Sequence, residues 1–150
     1  MTRGEPMKAK YLCALAVLPA ALLGIACSGE DAPTQEDYIA QADEICREAD
    51  ESLDTVIQEN FGTRQPSRQD LAEFTTAEAV PNLEGQLEEL RALTPPEGDE
   101  ETVNAIYESL SAAIETIAAD PLAAIDQPPA DFQEASRLAS EYGMEECGAG

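Results

Sequence analysis

Apolar residues between Thr34 and Gly62 recur every three or four positions. Tyr38, Ile39, Ala42, Ile45, Cys46, Ala49, Leu53, Val56, Ile57 and Phe61 then form one continuous stripe, which predicts a long first helix. Thr34 suits the N-cap, Gln35, Glu36 and Asp37 the first turn, and Gly62 the C-cap. A second pattern opens at Ser67, with Asp70 three residues on as a variant capping box. Leu71, Phe74, Ala77, Val80, Leu83, Leu87 and Leu90 are its expected inner face. Pro81 interrupts it, because proline lacks the N–H and clashes with the carbonyl four residues back. The sequence therefore predicts a kink at Pro81, or two helices meeting there. Thr94-Pro95-Pro96 stops the pattern.

A third helix is expected from an Asp99 cap, with Val103, Ile106, Tyr107, Leu110, Ala113, Ile114 and Ile117 inward. Asp120-Pro121 ends it or restarts the chain as a short turn through Ile125. After the stop at Gln127-Pro128-Pro129, a fourth helix is expected from about Asp131 to Tyr142. It turns Phe132, Ala135, Leu138, Ala139 and Tyr142 inward, with Gly143 as C-cap and Met144 packing back. No segment alternates with a period of two, and no repeat is evident. The expected fold is all-α: an antiparallel four-helix-type bundle with a kinked second helix.

The N-terminus reads as an export signal. Arg3, Lys8 and Lys10 precede a run from Tyr11 to Ala26 in which every residue is apolar, proline or glycine. That run is shorter than the roughly 18–20 residues of a permanent membrane span. Met7 is an alternative start. The exit Leu22-Leu23-Gly24-Ile25-Ala26-Cys27 resembles the lipobox of bacterial lipoproteins, in which the cysteine after the cut carries diacylglycerol. Ala26 fits that pattern; Gly24 departs from it, since leucine is preferred three places before the cysteine. Gly24-Ile25-Ala26 also suits ordinary signal peptidase, and an uncleaved anchor is the third reading. The expected division is residues 1–26 as signal, 27–33 as lipidated Cys27 and tether, 34–147 as helical domain and 148–150 as tail.

Cysteine parity bears on the anchor. Cys13 leaves with the signal, so Cys27, Cys46 and Cys147 remain, an odd number for an oxidising compartment. Acylation of Cys27 leaves an even pair, and Cys46 and Cys147 are expected to form one long-range disulfide stapling the bundle. A metal or redox pair is disfavoured, for there is no CxxC motif and no histidine.

Charge narrows the partners. Losing Arg3, Lys8, Lys10 and Glu5 with the signal leaves five arginines against 30 acids, a net charge of −25. Nucleic acid, which needs a cationic footprint, is excluded, and docking on anionic headgroups is disfavoured. Without histidine or mature lysine the usual bases and Schiff-base chemistry are missing. Asp43, Glu44, Glu48 and Glu51 fall on the polar side of the first helix, as do Glu84, Glu88 and Glu89 on the second, so none is a catalytic candidate. No EF-hand loop is present. No cofactor, metal or catalytic residue is expected.

The layout resembles a group of uncharacterised lipoproteins from high-GC, actinobacterial-type bacteria. The resemblance rests on the helix Tyr38-Ile39-Ala40-Gln41-Ala42-Asp43-Glu44-Ile45-Cys46, the segment from Pro81 through Leu90-Arg91-Ala92-Leu93-Thr94-Pro95-Pro96, and the ending Gly143 with Cys147-Gly148. It implies an extracytoplasmic helical domain held at the cell membrane and implies no activity.

Two function classes are carried forward. One is a monomeric binding module for a small molecule, envelope polymer or protein, with a weak candidate groove marked by Tyr38, Pro81, Tyr107 and Tyr142. The other is a structural or stress-related envelope lipoprotein without a dedicated ligand.

Overall fold

Capping chemistry sets the helix boundaries in the computed structural model, which describes residues 32–149. The expected signal segment and Cys27 lie outside the described residues. Helix α1 (Gln35–Phe61) begins where the Thr34 hydroxyl accepts the Asp37 N–H at 3.1 Å. It ends at Gly62, whose φ of 53° favours glycine and whose N–H donates to the Gln58 carbonyl. Helix α2 (Arg68–Phe74) opens on a reciprocal box: the Ser67 hydroxyl accepts the Asp70 N–H, and the Asp70 carboxylate accepts the Ser67 N–H. A π-helical segment (Thr75–Ala79) follows, then α3 (Val80–Ala92), α4 (Glu100–Ala119), α5 (Pro121–Asp126) and α6 (Ala130–Tyr142). Every regular element among the described residues is helical.

The second expected helix is thus three pieces, and Pro81 explains the division. In the π-segment the Val80 N–H reaches back five residues to the Thr75 carbonyl. Pro81 then falls in the first turn of α3, just past that wider turn. The Thr75 and Thr76 hydroxyls donate to the Leu71 and Ala72 carbonyls at 2.8 and 3.0 Å. The wider turn also shifts the phase of the stripe. Ala77, expected inward, is exposed, and Ala72, not expected inward, is buried; Val80 is buried as expected.

A second expectation is corrected at α4. Asp99 makes no capping hydrogen bond; its carboxylate instead accepts the Tyr142 hydroxyl at 2.7 Å. The short restart after Asp120 is α5, with Asp120 capping the Ala123 N–H at 3.0 Å.

The core centres on α4, whose Val103, Ile106, Tyr107, Leu110 and Ile114 are buried. It packs against α6 and α3, and α1 packs against α3. Ala113 on α4 and Ala135 and Ala139 on α6 are all buried, so small side chains line both partners of that contact. Phe61 and Phe74 form a satellite pair 5.2 Å apart, with the Arg64 guanidinium over the Phe61 ring.

The chain end is tied down twice. At the end of α6, Gly143 (φ 106°) donates to the Ser140 carbonyl and Met144 to the Ala139 carbonyl. This is a Schellman closure, with Met144 buried as its apolar contact. Residues beyond it lie on α1. The Asp43 carboxylate accepts the N–H groups of Glu145 and Glu146 at 3.2 and 3.0 Å. One helical turn further along α1, Cys46 is bonded to Cys147, with an S–S distance of 1.99 Å and Cα atoms 5.2 Å apart.

Candidate functional site

The three tyrosines singled out in the sequence come together, and their hydroxyls are spent on the fold. Tyr107 donates to the Leu90 carbonyl at 2.9 Å. Its one proton is thereby committed, so the short contact between the Tyr38 and Tyr107 hydroxyls has Tyr38 as donor. Tyr38 stacks edge-to-face on Tyr142, with centroids 6.2 Å apart. Burial pushes the phenols of Tyr107, Tyr142 and Tyr38 above their ordinary range. Tyr107 is raised further by its bond to Tyr38, and Tyr142 by its bond to Asp99. The three rings are thus a satisfied polar core, with no hydroxyl left for a ligand.

Pro81 is elsewhere. It is exposed in a depression between α1 and α3, whose walls include Glu48, Glu89 and Asn82. Asn82 closes part of it by donating to the Ala49 carbonyl at 3.1 Å.

A different concavity stands out by its chemistry. A groove of about 280 Å³ runs between α1, the π-segment, α3, α4, α5 and α6. Leu53, Leu83, Ile117, Ile125 and Phe132 form its walls, with Pro128 and Pro129 at one edge. The wider turn of the π-segment sets Thr75 and Ala79 into it, small residues that leave the space open. Three other depressions, of about 330–410 Å³, each carry carboxylates in their walls: Glu48 and Glu89, Glu84 and Glu115, or Glu73 and Asp120. In the apolar groove Asp50 is the sole ionisable lining residue. Asp50 is exposed at the rim of the groove, and its carboxyl is raised above the ordinary range, first by partial desolvation and then by the nearby charges of Asp54 and Glu146.

Asp50, Leu83 and Phe132 also line a narrow cleft of about 70 Å³ that runs inward to the disulfide and Met144. That space has room for a few waters at most and is far below the roughly 300 Å³ at the low end of small-molecule sites. The groove, continuous with it, lies near that limit. Among the described residues no group of cysteine, aspartate and glutamate side chains is placed to hold a metal ion. Nor is any helix among them long and apolar enough to cross a membrane.

Sequence reasoning missed both Asp43 and the groove. Asp43 sits on an exposed-looking helix face, and its partners are about a hundred residues away. The groove residues come from several elements, and Leu53, Leu83, Ile117 and Phe132 read locally as core. Comparison with protein-family models, with curated proteins and with solved structures finds no match to this chain.

Proposed function

We propose that this chain is an extracytoplasmic lipoprotein, anchored through acylated Cys27, whose helical domain is a binding module for an apolar ligand. The observation that carries the reading is the groove walled by Leu53, Leu83, Ile117, Ile125 and Phe132 on an otherwise acidic surface. Apolar concavities with few polar groups are the usual form of a ligand site. The Tyr38–Pro81–Tyr107–Tyr142 groove is set aside, because the three hydroxyls are already bonded. Catalysis is not part of the reading: the groove offers one carboxyl and no nucleophile paired with a base. The module works as a monomer without cofactor, metal or nucleic acid. The alternative is a structural envelope lipoprotein without a ligand, in which the groove is only imperfect packing.

The architecture we favour is an antiparallel four-helix-type bundle made by α1, the α2–α3 unit, α4 and α6, with its bend at Pro81. Short connections and the packing of α4 on both α3 and α6 support it.

The test uses the mature chain with Cys27→Ala and the neutral apolar dye Nile red. Saturable dye binding is expected, lost in Leu53→Gln and Ile125→Gln. Neither residue belongs to the central core cluster, so both variants should stay folded. Absence of saturable binding would favour the structural alternative. The anchor is read separately, from the mass of the N-terminal peptide of membrane fractions; an unmodified Cys27 would refute it.

A further inference from the structure

The groove has an electrostatic polarity that its apolar walls do not require. Its sole ionisable lining group is Asp50, and Glu146 joins Asp50 at the mouth of the adjoining cleft. Asp54 follows one turn later on α1, so two like charges stand at i and i+4, an arrangement that is unfavourable without a cation.

The arginines among the described residues are placed elsewhere. Arg47 is paired with Glu44 and Glu51, Arg64 with Asp70, Arg68 with Asp126, and Arg137 with Glu134 and Glu141. Arg91 lines a different depression, beside Glu84 and Glu88. Among the described residues, none of Asp50, Asp54 and Glu146 has an ion-pair partner. A metal does not fit the gap, because no carboxylate cluster among those residues has metal-binding geometry. A fatty acid fits poorly, because its carboxylate would face Asp50, with the charges of Asp54 and Glu146 nearby.

We infer that the groove takes a cationic amphiphile, its alkyl or aromatic body on the Leu83, Ile117 and Phe132 wall and a protonated amine against Asp50. The apolar wall supplies affinity by removing hydrocarbon from water, and the carboxylate supplies the choice of headgroup. The net charge of −25 draws cations toward the whole molecule, whereas Asp50, exposed at the rim, is the one acid that borders the apolar groove among the described residues. This inference rests on the groove-binding reading and adds the chemical class of the ligand.

The test is displacement of Nile red from the mature Cys27→Ala chain by decylammonium, 1-decanol and decanoate at physiological salt. Ion pairs near the surface are worth up to about 1 kcal/mol, so decylammonium should bind roughly three- to fivefold more tightly than decanol, with decanoate weakest. Asp50→Asn should remove most of that preference while leaving decanol unchanged. Glu115→Gln makes the same change in net charge in another depression and should leave the preference intact. If decanol and decylammonium bind equally, the amine inference fails while the apolar site stands. If Glu115→Gln erodes the preference as much as Asp50→Asn, the attraction is diffuse and the inference also fails. If none of the three displaces the dye, both the inference and the site are refuted.

Discussion

Each of the three described tyrosines donates its hydroxyl proton to a named acceptor, and that arrangement fixes their behaviour at high pH. Their phenols are raised above the ordinary value near 10 by burial. A raised folded-state value means that the stabilisation is complete below about pH 10 and is lost above it, as the unfolded chain releases protons that the native chain keeps. We expect little phenolate absorbance from the native mature chain just above pH 10, and then its cooperative appearance on unfolding. A gradual native-state titration near 10 would contradict the burial. Tyr107→Phe should cost about 1–3 kcal/mol in denaturant unfolding, since it strands the Tyr38 hydroxyl and the Leu90 carbonyl. The sequence marked these residues as aromatic and inward. It did not show that their hydroxyls would satisfy one another, because Tyr38 and Tyr107 are brought together only by the packing of α1 on the rest of the core.

Among the elements, those with local caps were legible and those shaped by distant partners were not. Thr34, Ser67 with Asp70, and Gly143 do their work within a few residues, so the helix ends they mark follow from the sequence. The π-segment was not legible. Pro81 announces a disturbance, but its resolution by a wider turn, with Ala77 turned outward, depends on which phase lets both α2 and α3 bury their apolar faces. Asp99 looked like a cap because it precedes α4, and the Tyr142 hydroxyl claims it instead. The C-terminal turn is held by Asp43 in the manner of a helix N-cap supplied from another helix. Loss of such a cap costs about 0.5–2 kcal/mol. Asp43→Ala should therefore lower the melting temperature modestly and speed amide exchange at Glu145 and Glu146, with α6 unaffected. Unchanged exchange there would mean that the carboxylate does not hold the tail. Gly148 belongs to the same closure: a Cβ on it would lie 2.1 Å from the Ser140 Oγ and 3.0 Å from the Met144 carbonyl oxygen.

For the whole molecule, counting cysteines identified the staple, whereas the groove emerged only from the assembled helices. The Cys46–Cys147 bond closes a separation of 101 residues, for which loop-closure entropy gives about 4.7 kcal/mol and small secreted domains typically show about 2–5. A Cys46→Ser and Cys147→Ser double variant should melt well below the parent while keeping helical circular dichroism at low temperature. Coincident melting curves would remove the bond from the account of stability. The groove has no such signature in sequence. Leu53, Leu83, Ile117 and Phe132 each sit on an apolar stripe and Ile125 ends a short restart, and only their joint placement leaves a space between them. The central claim is that this space is a binding site. It is tested most directly by following backbone amide shifts of the labelled mature Cys27→Ala chain as 1-decanol is added. The account predicts saturable shifts clustered at Ala79, Leu83, Ala124, Ile125 and Phe132. Shifts centred on the neighbouring depression of Glu73 and Asp120, shifts scattered over the molecule, or none at all would contradict it.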